Sequence, residues 1–539
     1  MMTILSAQDA ISAVDPQKWA DTPVSDRIVL LKQVLSNIDK HKYRLAEANA
    51  GVRNERTEHK AVSISFGRIL SYMIVAKNVQ ATIEQYEHLE KTGELIKPLA
   101  INKVADGLWD IHVYPRTFKE KLLAGGRQDY IRVTSKEEPT QINPLTRKPG
   151  ICAILGAGNT AGSAEIIKAL FWSNLAVVHK AHPIHEEIEA IWSEVLQPLV
   201  DHKALSFCDA NQGQGLSEDS RIGHLYFTGG ASTANAIAKS TKANFIAECG
   251  GVNPTIVVPG IREWTKAEME HHAIQIASSV KVNGGAVCAR NQIIVTCQKW
   301  SQREEFCDIL QRALREETWA WPSYYPGWQD SMEKFKKQYQ NATIIEPEEG
   351  KLGKEAEVLF IRGDKAGSFA CKSEAFTQVV SEVPLDVEPD CFLPKAVKFC
   401  NDELWGSLCA TIVVSNETVK AEKNIVDKAI TDLKYGSVAL NWNAASCYFE
   451  PQLIWGGYDQ SKVIESGNGN FGNIYQFEPV VKSIVYDSFI SPGHVKFVNK
   501  QVVNSVVDGL CAIALNPSWY NHISFLGSAI YGSFKKRDF

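Results

Sequence analysis

Apolar positions recur every three or four residues along the first part of the chain. Over Val24–Asp39, the residues Ile28, Leu31, Val34, Leu35 and Ile38 fall on one stripe, the period of a one-sided helix. Glu55–Lys97 continues in the same manner, so residues 1 to about 98 are predicted helical. From Gly107 the period shortens to two. Leu108–Tyr114 and Asp129–Val133 alternate as strands do, with Gly125-Gly126 supplying a turn between them. A loop bearing Pro139, Pro144 and Pro149 follows.

Strand and helix patterns then alternate. Ile151–Leu155 is a strand, Ser163–Trp172 a helix, Leu175–His179 a strand, Glu186–Leu196 a helix and Leu225–Thr228 a strand, with a further helix from Ser232. Apolar strands separated by helices predict a mostly parallel sheet covered on both faces. After Glu248 the pattern restarts with strands at Pro254–Val258, Gln292–Thr296 and Ala410–Ser415, which predicts a second α/β unit and a seam near Ala247–Gly251. Beyond Ser491 two apolar stretches, Val502–Leu515 and Ile523–Phe534, are divided by Asn516-Pro517 and read as a packing or subunit-contact segment.

Composition narrows the class. The chain has 539 residues, 45% hydrophobic and 22% charged, which excludes disorder and collagen-like order. Its 57 Lys+Arg against 62 Asp+Glu give a formal charge of −5, without the basic footprint of a nucleic-acid binder. The twelve cysteines form no C-x-x-C pair, so neither a zinc ribbon nor a dithiol redox motif is expected. No apolar run approaches the ~18–20 residues that span a bilayer. The N-terminus lacks the charged and apolar regions of a secretory signal, which leads to the expectation of a cytoplasmic protein with reduced thiols.

Four glycine-bearing turns could carry chemistry. Gly156–Gly162 follows a strand and precedes a helix. It reads either as a dinucleotide loop or as a turn that merely needs glycine, because the next strand ends in His179-Lys180 rather than an acidic residue. Asn159 within it carries an amide able to donate to an oxyanion. Phe227–Ser232 has the backbone character of an anion-binding turn. Glu248 precedes Gly250-Gly251, and Cys288 follows Gly284-Gly285 as a candidate nucleophile, on condition that its surroundings favour the thiolate. His182, His185, His271 and His272 show no metal-ligand spacing, so no metal site is expected.

In order and spacing these pieces resemble the aldehyde dehydrogenase superfamily, from about Lys148 to Gly472. The blocks are Phe227-Thr228-Gly229-Gly230, Glu248-Cys249-Gly250-Gly251-Val252-Asn253-Pro254 and Gly285-Ala286-Val287-Cys288. Further matches are Glu374-Ala375-Phe376, Trp405-Gly406-Ser407-Leu408, Leu440-Asn441 and the stretch from Gly456-Gly457 to Ser466-Gly467-Asn468-Gly469. The resemblance implies two doubly wound Rossmann-like α/β domains with a small β bridging and oligomerisation element. The implied cofactor-binding domain comprises 1–107 and 136–249, and the bridging strands lie in 108–135 and 476–490. The catalytic domain is 250–455, with a return to the cofactor domain over 456–475 and a C-terminal extension over 491–539. A homodimer or homotetramer is expected by the same analogy.

The resemblance also assigns roles. Cys288 would attack an aldehyde, Asn159 and the backbone N–H of Cys288 would hold the oxyanion, and Glu248 would activate water to release the acid. For this, Cys288 is expected to be ionised and open, facing Asn159 across the interdomain crevice. Lys180, Gly229, Gly230, Gly250, Glu374 and Phe376 would bind NADP or NAD. Where NAD-preferring relatives place a glutamate, this chain has Pro183, and Lys180 with His179 nearby leads to the expectation that NADP is accepted. Cys249, in the place of the usual leucine, is expected to be a small buried residue. Trp455, Tyr458 and Trp172 hint at an apolar or aromatic aldehyde. His182-Pro183 also resembles the CoA-acylating branch, whose members generally lack the glutamate present here as Glu248. A third reading is an inactive binding or scaffold protein.

Overall fold

The computed structural model describes residues 5–533 except 61, 347–351, 459–462, 495–497 and 499. Its strands are β1 (Ala100–Ala105), β2 (Leu108–Tyr114), β3 (Gln128–Thr134), β4 (Ile151–Leu155), β5 (Ala176–Lys180) and β6 (Leu205–Cys208). They continue as β7 (His224–Thr228), β8 (Asn244–Glu248), β9 (Asn253–Val257), β10 (Asn291–Cys297), β11 (Thr343–Ile345) and β12 (Val358–Ile361). The last are β13 (Val379–Leu385), β14 (Cys409–Val413), β15 (Ser437–Leu440), β16 (Ile454–Gly456), β17 (Asn470–Gly472) and β18 (Val480–Tyr486).

Two large sheets organise the chain. The first has the order β6-β5-β4-β7-β8 and is parallel throughout. Its strands are short and almost wholly apolar because helices bury both faces. The sheet runs one way from β4 through β5 and the other way through β7, so a crevice opens beyond the carboxyl ends at that switch point. Registers Leu155↔Lys180, Leu155↔Phe227 and Thr228↔Glu248 bring the ends of these strands to one edge. The seam expected near Ala247–Gly251 is where the chain leaves this sheet at Glu248 and enters the second at Asn253.

The second sheet has the order β1-β2-β3-β18-β15-β14-β9-β10-β13-β12-β11. Its centre is parallel, with antiparallel strands at both ends. The bridging strands expected around residues 109–133 and 480–485 do pair with one another. They are not a separate layer, however: β18 pairs with β3 on one side and with β15 on the other, making them the continuation of the larger sheet. The chain returns to the first sheet after β16, where Gly467 bridges to Glu248 and Asn468 Oδ1 accepts from the Ala247 N–H.

The N-terminal helices are as the periodicity predicts, with Val24–Asn54 running unbroken and Ile74–Thr92 ending at Gly93 in a left-handed conformation. The C-terminal stretches form two helices, Lys500–Leu515 and Trp519–Ser533, broken at Asn516-Pro517 as expected. The first packs on the N-terminal helices of the same chain: Arg68 pairs with Asp508 and Ser63 donates to Asn504. No helix among the described residues is long and apolar enough to cross a membrane.

Candidate active site

Cys288 is set by a turn that only certain residues can make. The helix Lys266–Lys281 ends, and Asn283, Gly284 and Gly285 follow with φ of 57°, 63° and 79°, three left-handed residues in succession. A Cβ on Gly284 would lie 2.4 Å from the Pro322 carbonyl oxygen, and one on Gly285 2.4 Å from the Thr377 carbonyl carbon. Glycine is therefore required twice. Asn283 tolerates its conformation because its amide is fully used: Oδ1 accepts from Arg53 Nε at 2.8 Å, and Nδ2 donates to the Ala286 oxygen at 3.0 Å. Asn253, at the start of β9, donates to the Cys288 carbonyl at 2.8 Å.

Across the crevice, the loop after β4 carries Asn159. Its Nδ2 donates to the Ala286 oxygen at 3.2 Å, two residues before the thiol. A carboxamide nitrogen has two N–H groups, so one is left to donate elsewhere. Arg53 ties the two loops together. Buried at the end of the helix Val24–Asn54, it reaches Asn283 with one nitrogen and the Asn159 backbone oxygen with another, at 2.8 Å each.

Glu248 closes the site. It is 3% exposed, accepts from Trp455 Nε1 at 3.2 Å and lines the same cavity as Cys288. Burial pushes its carboxyl up to about 8, against the pull of the neighbouring Cys288 and Trp455. The thiol in turn is held well above its ordinary value, first by burial and then by the neighbouring Glu248. Both shifts favour the neutral forms, the direction opposite to the ionised sulfur expected. Cys288 is partly exposed where ten of the other eleven cysteines are buried. The exposed cysteine is Cys391, in the turn Pro389–Cys391. Cys249 is 1% exposed, the small buried residue expected.

Cys288, Glu248 and Asn159 line one continuous cavity of about 1590 Å³ together with the Gly156–Gly162 loop. Lys180, Gly229, Gly230, Gly250, Glu374 and Phe376 do not line it. Lys180 ends β5, and its ammonium donates to the Ala210 oxygen at 3.2 Å. Gly229-Gly230 starts the helix Ala231–Ser240, at the same sheet edge. Glu374 lies on the turn after Glu248: its Oε1 accepts from Gly251 N–H at 3.2 Å, and a Cβ on Gly250 would come within 1.8 Å of that oxygen. Burial pushes Glu374 up to about 7 despite this donor and Arg290. Phe376, at φ 47°, packs its ring 5.0 Å from Tyr325.

Other expectations need correction. His179 is buried with Nδ1 paired to Glu189, and it lines the cavity beside the Gly156 turn. Of the three aromatic residues noted, only Trp455 belongs to the site. Trp172 is a core residue whose Nε1 donates to Thr82, and Tyr458 lies 5.4 Å from the Lys482 ammonium. No cluster of three or more metal-ligating side chains occurs among the described residues. The sequence pattern did not single out Tyr448, Glu165 and Lys168, which surround Glu248. Tyr448 stacks edge-on to Trp455 at 5.8 Å, and its hydroxyl is kept protonated by burial beside Glu165, Glu248 and Cys288. Lys168 is buried near the charges of Glu165 and Glu248, and burial lowers its ammonium. The signal available was a Glu and a Lys three residues apart inside the otherwise apolar Ala164–Trp172.

Residues 133–319, which hold both Glu248 and Cys288, match the model of the aldehyde dehydrogenase family. This bears out the resemblance to that superfamily. Aldehyde dehydrogenase KauB from Pseudomonas aeruginosa superposes with a TM-score of 0.62 at 15% identity, covering 89% of this chain and 88% of that one. Aldehyde dehydrogenase 21 from Physcomitrella patens gives 0.61 at 16% identity, over 89% and 90%. A mutant of aldehyde dehydrogenase C from Pseudomonas syringae, in complex with NAD+ and octanal, gives 0.61 at 15%, over 90% of each chain. These likenesses show the fold, a two-domain Rossmann-like α/β architecture. No curated relative matches at the sequence level.

Proposed function

We propose that this chain oxidises an aldehyde to its carboxylic acid with NADP or NAD, using Cys288 as nucleophile. The observation that carries the reading is that Cys288, Glu248 and Asn159 line one cavity. The structural relatives solved with NAD+ and with octanal support the same reaction class.

Glu248, once its own proton has gone to solvent, accepts the thiol proton as the sulfur attacks the carbonyl carbon. The C–S bond of a thiohemiacetal forms. Negative charge appears on the former carbonyl oxygen, where the remaining Asn159 N–H and the Cys288 backbone N–H can receive it. One such donor contributes about 2.7–4 kcal/mol to the transition state. A nicotinamide dinucleotide, when bound, would supply the hydride acceptor by which such an adduct becomes a thioester. The residues fit such a group: the glycine loop sits at the carboxyl ends of parallel strands, and its Gly156, Ala157 and Asn159 line the cavity. Lys180 would hold the adenosine ribose or its phosphate, Gly229-Gly230 the pyrophosphate, and Glu374 with Phe376 the nicotinamide ribose. With Pro183 in place of an acidic residue, no carboxylate at that position repels a 2′-phosphate, which favours acceptance of NADP. Glu248, ionised again after passing on the thiol proton, then takes a proton from water as that water attacks the thioester. The C–S bond breaks, the acid leaves and the sulfur recovers its proton.

The test is an aldehyde panel assayed with NAD and NADP, with and without CoA. Acid formation that stops in Cys288→Ala and slows by about 10²–10⁴-fold in Glu248→Gln is expected. An acyl-CoA product that persists in Glu248→Gln would transfer the protein to the CoA-acylating class. If no aldehyde reduces either cofactor and Cys288 alkylates no faster than free cysteine, the binding-protein reading takes over.

A further inference from the structure

Three side chains converge on one backbone oxygen beside the nucleophile turn. The Asn159 carbonyl accepts from Arg53 Nη2 at 2.8 Å, from the Tyr324 hydroxyl at 3.4 Å and from Asn283 Nδ2 at 3.4 Å. Arg53 comes from the helix Val24–Asn54, Tyr324 from the loop before the helix Trp328–Gln338, and Asn283 from the turn that carries Cys288. The Tyr324 hydroxyl also accepts from Asn283 Nδ2 at 3.3 Å, so the three donors brace one another. The side-chain amide of Asn159 meanwhile reaches the Ala286 oxygen at 3.2 Å. Asn159 is therefore held by its backbone and by its side chain at once, both times against the same turn.

Arg53 is the member that packing does not account for. It is fully buried, and burial lowers its guanidinium from the ordinary value. All four of its acceptors are uncharged: the carboxamide oxygens of Asn283 and Asn49, and the backbone oxygens of Asn49 and Asn159. Its guanidinium carbon lies 4.8 Å from the centre of the Tyr324 ring. A charge buried without a compensating carboxylate is costly, and an apolar side chain of similar volume would fill the place at less cost. What the guanidinium adds is a rigid fork, able to hold oxygens of two chain segments in fixed relation, here Asn283 through Nε and Asn159 through Nη2.

We propose that Arg53, with Tyr324, is a positioning residue: by gripping the Asn159 carbonyl oxygen it fixes where the Asn159 amide meets the substrate oxygen. This rests on the dehydrogenase reading above. Because Arg53 acts through a single donor, its loss cannot exceed the loss of that donor, about 10²–10³ in kcat. A displacement of the donor by about 1 Å already accounts for about 10².

The experiment measures kcat and KM, for the aldehyde the wild type oxidises best, in Arg53→Met, Arg53→Lys and Tyr324→Phe, each alone and combined with Asn159→Ala. We expect kcat to fall about 100-fold in Arg53→Met and about tenfold in Arg53→Lys, which keeps the charge but not the fork, with KM within about threefold. Tyr324→Phe should lose about fivefold. Once Asn159 is Ala, each of these changes should cost less than about threefold more, because the group they position is gone. A second readout needs no turnover. Without cofactor, octanal adds reversibly to Cys288, the C–S bond forming as the thiol proton passes to the former carbonyl oxygen, and this protects the sulfur from iodoacetamide. The octanal concentration giving half protection should rise about fivefold in Asn159→Ala and in Arg53→Met, and no further in their combination. Should Arg53→Met fail to fold, Arg53→Lys and Tyr324→Phe carry the same comparison. Losses that multiply when combined with Asn159→Ala, a raised KM at unchanged kcat, or Arg53→Lys at the full rate overturn the inference and leave the dehydrogenase reading standing. No turnover of any aldehyde by the wild type, with octanal protection weakened non-additively in the Arg53 and Asn159 variants, overturns the dehydrogenase reading and retains the positioning role at a carbonyl-binding thiol. Neither turnover nor protection in the wild type overturns both.

Discussion

Replacing Glu248 by Gln isolates what the protein gives up to bury an acid at this site. The carboxyl, ordinarily at 4.5, is pushed up to about 8 at 3% exposure. A carboxyl with a raised folded-state pKa favours folding fully below about 4.5 and loses that contribution as pH rises through about 8. Between those values the native state binds the extra proton, so stability falls with pH. At about 1.4 kcal/mol per pH unit the whole window is worth about 5 kcal/mol, and water entering beside the ionised group would reduce it to about 2–4 kcal/mol. Gln has the same shape, keeps an oxygen to accept from Trp455, and never ionises. Relative to the wild type, Glu248→Gln should thus be neutral at pH 5 and stabilised at pH 9. At about 1 °C per kcal/mol for a chain of 539 residues, thermal midpoints should differ by roughly 2–4 °C at pH 9. Equal differences at both pH values, or a variant less stable at pH 9, would refute the claim that the folded protein holds Glu248 neutral.

The same substitution should speed alkylation of Cys288 by iodoacetamide at pH 8.5 even as turnover falls, because the thiol loses the neighbour that holds its pKa up; an unchanged or slower rate counts against the pairing. Wild-type kcat/KM should rise with pH through about 8 as Glu248 ionises, and a profile flat from pH 6 to 9 contradicts this. Asn159→Ala should lower kcat by about 10²–10³ with little change in KM, as expected when one oxyanion donor is removed. Gly250→Ala should weaken cofactor binding, measured by fluorescence titration, because its Cβ would fall 1.8 Å from Glu374 Oε1 and displace that carboxylate.

Much of the fold was legible because its signals are local. An apolar run such as Ile151–Leu155 that ends in glycines has few structures open to it, and both sheets grow from such runs. The elements that escaped have weaker patterns. Ala100–Ala105 is an edge strand with most of its side chains exposed, so no alternation marks it. Leu205–Cys208 is only four residues long. The helix Phe118–Ala124 did carry a signal, the capping box of Thr117 and Glu120, within a stretch read only for its glycine turn. The placement of Cys288, Glu248 and Asn159 in one cavity follows from motif order. Their titration does not, because burial in the folded chain raises Glu248 and the donor that opposes it, Trp455, lies far along the sequence. The C-terminal helices were visible as apolar stretches, whereas their packing on the N-terminal helices depends on a docking that no spacing encodes.

Keeping both groups neutral at rest changes how charge would move during the proposed reaction. A thiolate beside an ionised Glu248 would be costly. Holding the proton between sulfur and carboxyl avoids that cost until a carbonyl carbon arrives to share the sulfur's electrons. Attack then moves the proton onto or through Glu248 and leaves the negative charge on the substrate oxygen, within reach of fixed N–H donors, instead of on sulfur. On this argument the selectivity for an aldehyde over other electrophiles comes from where its oxygen falls relative to Asn159, and the ionisation of Cys288 is coupled to substrate occupancy.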